Sequence, residues 1–277
     1  MINDKIVLIT GATDGIGKQT AFDLARKGAK VIVHGRNNQK AEQIASIVSR
    51  ETGNDHIWGF GADLSTLHQV RDLAEKIGNR FDKIDVMINN AGVFMNEKEQ
   101  SKDGFELTFA VNHLAHFVLT GLLLELIKKS DYARIINVAS MAHASRLDFD
   151  NLQGEKHFDG YDAYTRSKLC NILFANKLAR LLRDTHITAN SLHPGVIRTK
   201  LLHAGWGGGG SDLANGSKTS VFLADSPDIA GLSGQYFANS RAVSASAVSY
   251  DISVQDRLWN LSEELSNFNY SSNTFRI

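Results

Sequence analysis

Thr10-Gly11-Ala12-Thr13-Asp14-Gly15-Ile16-Gly17 follows directly on the apolar run Lys5-Ile6-Val7-Leu8-Ile9 and leads at once into a segment of helical period, Ile16 to Lys27. Strand, glycine-rich turn and helix in that order are the opening of a dinucleotide-binding unit. Glycines let the backbone turn sharply and approach a pyrophosphate, while the free N–H groups and positive dipole end of the helix attract negative charge. The spacing is Gly-x-x-x-Gly-x-Gly, one residue longer in its first gap than Gly-x-Gly-x-x-Gly, which points to a particular subclass of dinucleotide binder. Gly11, Thr13, Asp14, Gly15, Ile16 and Gly17 are its candidate cofactor contacts.

Outward from this turn, short apolar runs alternate with longer segments of helical period. Lys5 to Thr10, Lys30 to His34, His56 to Gly61, Lys83 to Ile88, Ala133 to Ala139, Ile187 to Leu192 and Gly234 to Ala238 read as seven strands. Near-continuous Val/Ile/Leu strands joined by helices imply a mainly parallel sheet covered on both faces, and right-handed crossovers make it doubly wound. The expected fold is therefore α/β, a single doubly wound domain over residues 1–277. Composition agrees, since 43% hydrophobic and 22% charged residues with 2 prolines in 277 describe a globular chain able to bury a large core.

Thirty Lys+Arg offset thirty Asp+Glu and no block of like charge occurs, so no nucleic-acid or anionic-membrane partner is expected. The lone Cys170 makes no demand for an oxidising compartment, and the N-terminus shows no export leader, so a cytoplasmic address is the default expectation. Phe117 to Ile127 is broken by Thr120, Gly121 and Glu125; it reads as a buried helix and not as a membrane span. Scattered histidines such as His113, His116, His143, His157 and His193 lack a compact ligand spacing, and no metal is expected.

After the second strand comes His34-Gly35-Arg36-Asn37. An acid there would bind a ribose 2′-hydroxyl, whereas a guanidinium favours a 2′-phosphate, so Arg36, with Asn37, indicates NADP(H), with NAD(H) as the alternative. Tyr164 and Lys168 are four apart in a helical segment, Tyr161 to Arg183, and so project from one face. A neighbouring ammonium is expected to lower the phenol pKa and make Tyr164 an acid/base. Ser140 ends the fifth strand, at the sheet edge where open α/β sheets bind ligands. Gly205-Trp206-Gly207-Gly208-Gly209-Gly210-Ser211-Asp212 is either a flexible connection or a flap over a ligand.

Taken together, Thr10 to Gly17, Asn89-Asn90-Ala91-Gly92, Asn112, Ser140, Tyr164-x-x-x-Lys168 and Pro194-Gly195 occur in the order of the short-chain dehydrogenase/reductases, which this chain resembles from about Asp4 to Asn267. Val111 to Phe117, Asn151 to Glu155 and Leu258 to Ser262 resemble the retinol dehydrogenase and WW-domain oxidoreductase branch, which mostly favours NADP(H). The resemblance implies a seven-stranded Rossmann-type domain and a catalytic set of Asn112, Ser140, Tyr164 and Lys168. Tyr164 would exchange the proton, Lys168 would depress its pKa and hold the nicotinamide ribose, and Ser140 would hydrogen-bond the substrate oxygen. Asn112 would hold a helix irregularity and a water linked to Lys168.

For the cofactor, the resemblance implies Asp63 and Leu64 at the adenine and Asn89, Asn90, Ala91 and Gly92 along the adenine ribose, where they would also stabilise the central sheet. Pro194, Gly195, Val196 and Thr199 would meet the carboxamide. It also places a substrate flap at about 199–217, where Leu201, Leu202 and Trp206 would cover an apolar carbonyl or alcohol. A homo-oligomer is in keeping with the family, and the substrate stays open. The competing reading from another class is an NADP(H)-binding sensor or scaffold without catalysis.

Overall fold

The Val/Ile/Leu runs form strands that are buried on both faces. In the computed structural model, which describes residues 1–273, these are β1 (Ile6–Ile9), β2 (Lys30–Gly35), β3 (Ile57–Gly61), β4 (Val86–Asn89), β5 (Arg134–Val138), β6 (Thr188–His193) and β7 (Tyr236–Ala238). These seven run parallel to one another in the order β3-β2-β1-β4-β5-β6-β7. The chain winds outward from β1 to β3, then returns to β4 on the other side of β1. That reversal opens a crevice beyond the carboxyl ends of β1 and β4, the place where such sheets bind ligands.

Seven strands are read from the sequence, and the structure adds an eighth. β8 (Arg241–Val243) pairs antiparallel with β7 through the two-residue turn Asn239-Ser240, both with positive φ (50° and 59°). A left-handed pair of this kind matches strand twist and closes a tight hairpin. The strand escapes detection because it is three residues long and exposed, so it carries no apolar run. Its brevity and its Arg241 also blunt the sheet edge.

Helices α1 (Gly15–Arg26), α2 (Asn38–Thr52), α3 (Leu67–Gly78), α4 (Leu107–Lys128), α5 (Gly160–Leu181), α6 (Lys200–Trp206), α7 (Leu213–Asp225) and α8 (Ile252–Ser266) make the connections. Apolar residues of α1, α2 and α7 cover one sheet face, and those of α3, α4 and α5 cover the other. Local sequence starts several of them. Asp14 accepts from Gly15 N at the head of α1, Asn37 from Lys40 N at α2 and Asp159 from Asp162 N at α5, each quieting an orphan helix donor. Leu258 and Trp259 of α8 are buried, and the Trp259 ring lies 5.0 Å from Phe117 and 4.4 Å from Tyr270. Cys170, on α5, is fully buried, and burial pushes its thiol up to about 12.

By length and composition α4 is apolar enough to cross a membrane, but the apolar window is 89% buried inside the protein, which makes it the central helix of one layer. Within it, Ala110–Leu114 form a π-turn. The helix also carries His113 and His116, which with His34 are sealed in the core. Desolvation lowers them to about 3, about 3 and about 4. All three stay neutral in the folded chain and take up protons on unfolding below their usual 6.5, so the unfolded state binds more protons there and stability falls as pH falls. Unfolding midpoints measured between pH 7 and pH 4 are expected to drop steadily, at up to ~1.4 kcal/mol per pH unit per histidine. A flat profile over that window would contradict neutral burial.

Candidate active site

The crevice holds a cavity of about 880 Å³, toward the upper end of the ~300–1,000 Å³ of small-molecule sites. One end is the glycine turn: Gly11, Thr13, Asp14, Gly15, Ile16 and Gly17 all line it. The turn is braced from behind. Asn90 Nδ2 donates to the carbonyls of Thr10 (2.7 Å) and Gly11 (3.2 Å), and the Thr10 hydroxyl accepts from Asn90 N (2.9 Å) and Ala91 N (3.0 Å).

Gly11 has φ +64°, and a Cβ there would sit 2.8 Å from Ala91 Cα; a Cβ on Gly17 would strike Asn90 Nδ2 and the Gly11 carbonyl. Gly15, by contrast, has only Thr199 Cγ2 at 3.6 Å beyond it, so the turn is open toward the cavity. This cradle fits the diphosphate of a dinucleotide.

Arg36, Asp63 and Leu64 line the same end. Among the described residues Arg36 has no carboxylate within ion-pair distance, which leaves its guanidinium available to a phosphate. Asp63 accepts from Ser65 N (3.0 Å), a side-chain turn in the loop ahead of α3; the helix itself begins at Leu67 after Thr66, so Asp63 does not take the helix-start role. Asn37 is the one cofactor candidate outside the cavity lining: its side chain is spent on capping α2. His34, which sequence reasoning passed over, does line the cavity. It accepts from Gly11 N (3.3 Å) and donates through Nε2 to Ala62 O (3.0 Å), which ties the glycine turn to the start of the Asp63 loop. Its place just before Gly35-Arg36 is the signal that would have found it.

The middle of the cavity is walled by Asn90, Ala91 and Gly92, and the far end by Ser140, Tyr164, Lys168, Pro194, Gly195, Val196 and Thr199. Asn89 faces the sheet instead, donating to Thr120 Oγ1 (3.0 Å) and Asn137 Oδ1 (2.8 Å). Asn112 lies behind the wall, fully buried in the π-turn. Its amide accepts from Val93 N (2.8 Å) and donates to Val93 O (3.1 Å) and Ser167 Oγ (2.9 Å). The helix irregularity implied at Asn112 is therefore present.

The electrostatics differ from the sequence expectation. An ammonium one turn away was expected to lower Tyr164; instead burial pushes the phenol up to about 12, with a Ser140 hydrogen bond pulling the other way. Lys168 sits with Nζ 5.5 Å from the Tyr164 ring centre and donates to Val138 O (3.0 Å), and its own burial lowers it to about 8. Desolvation outweighs the cation here because both groups are under a tenth exposed.

An aromatic wall completes this end. The Trp206 ring centre is 5.4 Å from those of Tyr164 and Phe94, and Phe94 is 5.6 Å from Tyr164. The four glycines after Trp206 are not a slack connection. Gly207, Gly208, Gly209 and Gly210 all take positive φ, and Arg198 N to Ser211 O (2.9 Å) with Ser211 N to Val196 O (2.8 Å) pin the return. Leu201, Leu202 and Trp206 of α6 are thereby held against the cavity. Phe94, packed against Tyr164 and Trp206, was not singled out in the sequence because only tertiary folding brings it here. His193, weighed there only as a metal ligand, lines the cavity beside Pro194, and its adjacency to that motif is the signal that would have found it.

Comparison with known proteins agrees with this arrangement. The model of the family described as short chain dehydrogenase matches residues 5–206. Retinol dehydrogenase 12 of Mus musculus is 39% identical over 274 residues, covering 95% of this chain and 87% of the relative. Polyprenol dehydrogenase of Homo sapiens is 36% identical over 283 residues, covering 95% and 85%. A short chain dehydrogenase from Escherichia coli CFT073, solved in complex with NADPH, superposes with a TM-score of 0.71 at 29% identity, covering 87% of this chain and 98% of that one. Order of motifs, sheet topology and overall likeness converge, and the chain belongs to the short-chain dehydrogenase/reductase family, in its retinol dehydrogenase-like branch.

Proposed function

We propose that the chain is an NADP(H)-dependent oxidoreductase that moves hydride between nicotinamide and the carbonyl or alcohol carbon of an apolar small molecule. The observation that carries this reading is convergence: Ser140, Tyr164 and Lys168 meet in the same cavity whose other end is the glycine turn and Arg36. When bound, the nicotinamide supplies the hydride donor or acceptor. The chain's own residues do the rest. Gly11 to Gly17 receive the diphosphate, and Arg36 receives the 2′-phosphate. Ser140 orients the reacting oxygen, and its hydroxyl stabilises charge that develops there. Tyr164, neutral because burial keeps its pKa near 12, gives its proton to that oxygen in reduction. Lys168 holds positive charge close to the phenol and eases the phenolate that remains. Trp206, Phe94, Leu201 and Leu202 exclude water and select an apolar substrate, with residues 199–217 acting as its cover.

The cofactor assignment is tested with the free enzyme. Charge-assisted bonds to a phosphate contribute ~1.5–3 kcal/mol, so Arg36→Ala is expected to weaken NADPH binding about 10–100-fold and to leave NADH within about twofold. Titration of nicotinamide fluorescence reads both. Equal losses for the two cofactors, or tighter NADH than NADPH binding by the unaltered chain, would remove the 2′-phosphate role. The reaction itself is checked by following NADPH oxidation against a panel of apolar aldehydes and ketones.

A further inference from the structure

A buried histidine that the mechanism does not use connects the two halves of the site. His116 is 1% exposed. Its Nδ1 lies 3.0 Å from Asn112 O, inside the π-turn, and its Nε2 lies 2.9 Å from Thr10 Oγ1, at the root of the glycine turn. A carbonyl can only accept, so Nδ1 carries the proton. In the neutral ring Nε2 then accepts, and the Thr10 hydroxyl must donate to it. The Thr10 oxygen already accepts from Asn90 N and Ala91 N, and its proton goes to Nε2 as the shorter of two contacts, the other being Ile88 O at 3.4 Å.

The chain of bonds continues past Asn112. Its Nδ2 donates to Ser167 Oγ, and Ser167 Oγ donates to Tyr164 O (2.7 Å). A Cβ built on Gly92 would meet both Lys168 Nζ (3.4 Å) and Asn112 Oδ1 (3.5 Å), so both groups border the same small space at Gly92. Of the two acceptors within reach of the Thr10 hydroxyl, His116 Nε2 at 2.9 Å is closer than Ile88 O at 3.4 Å, which favours the arrangement running through His116.

We propose that His116 is a positioning residue that couples occupancy of the nucleotide-binding turn to the π-turn carrying Asn112, and through it to the Tyr164–Lys168 segment. The proposal rests on the functional reading above only for the identity of the ligand, NADPH. It gives the α4 histidine a task distinct from filling the core, because two different bonds, one from each ring nitrogen, carry the two halves of the effect.

Isosteres separate those bonds. His116→Asn places an amide where Nδ1 was and keeps the bond to Asn112 O but cannot reach Thr10. His116→Gln reaches Thr10 with its amide and gives up Asn112 O. The full-length chain is used throughout, with NADPH as the probe. His116→Asn is expected to weaken NADPH binding about tenfold, the loss of one buried hydrogen bond, with kcat nearly unchanged at saturation. His116→Gln is expected to bind NADPH as the unaltered chain does and to lose kcat about tenfold.

A second readout needs no turnover. Saturating NADPH should slow hydrogen exchange at residues 110–114 in the unaltered chain, and that protection should vanish in both variants. If the two isosteres behave alike, or if both keep the NADPH-induced protection, the coupling is refuted. If the unaltered chain binds NADPH and shows the protection but reduces no carbonyl on the panel, the functional reading fails and the coupling stands.

Discussion

Tyr164→Phe is expected to lower kcat for carbonyl reduction by about 10²–10⁴, the range for loss of a positioned general acid, while NADPH binding weakens by no more than about tenfold, the worth of one hydroxyl contact. The separation is sharp because the substitution removes one atom and little else. The ring remains against Phe94 and Trp206, 5.6 Å and 5.4 Å away, so the aromatic wall keeps its shape. The Ser140 hydroxyl loses its phenol partner but still accepts from Ala142 N (3.1 Å). Single-turnover oxidation of NADPH with a saturating aldehyde, beside a fluorescence titration of NADPH, reads the two effects independently. A Phe variant that turns over at the original rate would remove Tyr164 from the reaction and with it the proposed function.

Gly17→Ala should have the largest effect on the cofactor. Its new methyl group would strike Asn90 Nδ2 and lie 2.5 Å from the Gly11 carbonyl oxygen. The Asn90 amide cannot withdraw without giving up the carbonyls of Thr10 and Gly11, so the turn itself must shift. NADPH affinity is expected to fall by at least about 100-fold, because the displaced N–H groups are those that face the diphosphate. Overpacking of ~1–3 kcal/mol should also lower the unfolding midpoint by about 3–10 °C. Gly78→Ala is the matched control. It lies in α3 with nothing within 4 Å of its added carbon, and both quantities should stay level or improve slightly. Undiminished NADPH affinity in Gly17→Ala would mean that the turn does not hold the phosphates.

What the sequence made legible was whatever a single element encodes. Val7 to Ile9 or Ile135 to Val138 announce themselves as buried parallel strands because both faces need apolar side chains, whereas Arg241-Ala242-Val243 announces nothing, being held by its turn and not by its burial. Tyr164 and Lys168 share one helix and so could be paired by spacing alone. Phe94 and Trp206 stand 112 positions apart, and no local pattern brings them to the same phenol. The π-turn leaves no mark on the apolar pattern of Leu107 to Lys128; only the family resemblance pointed to an irregularity at Asn112, whose side chain bonds to Val93 and Ser167, far from it in sequence. The direction of the Tyr164 pKa was misread because spacing reveals the cation but not the depth of burial that opposes it.

Cys170 has a consequence for how the chain meets its surroundings. The molecule owns one sulfhydryl, set between Leu169 and the Leu173 turn and kept as the uncharged thiol well above physiological pH. Attack on a disulfide or an electrophile needs the thiolate at an accessible place, and this group offers neither. Glutathione and thiol-directed alkylating agents therefore find no sulfhydryl to engage on the native molecule, and thiol-based control of its activity would have to act through another protein.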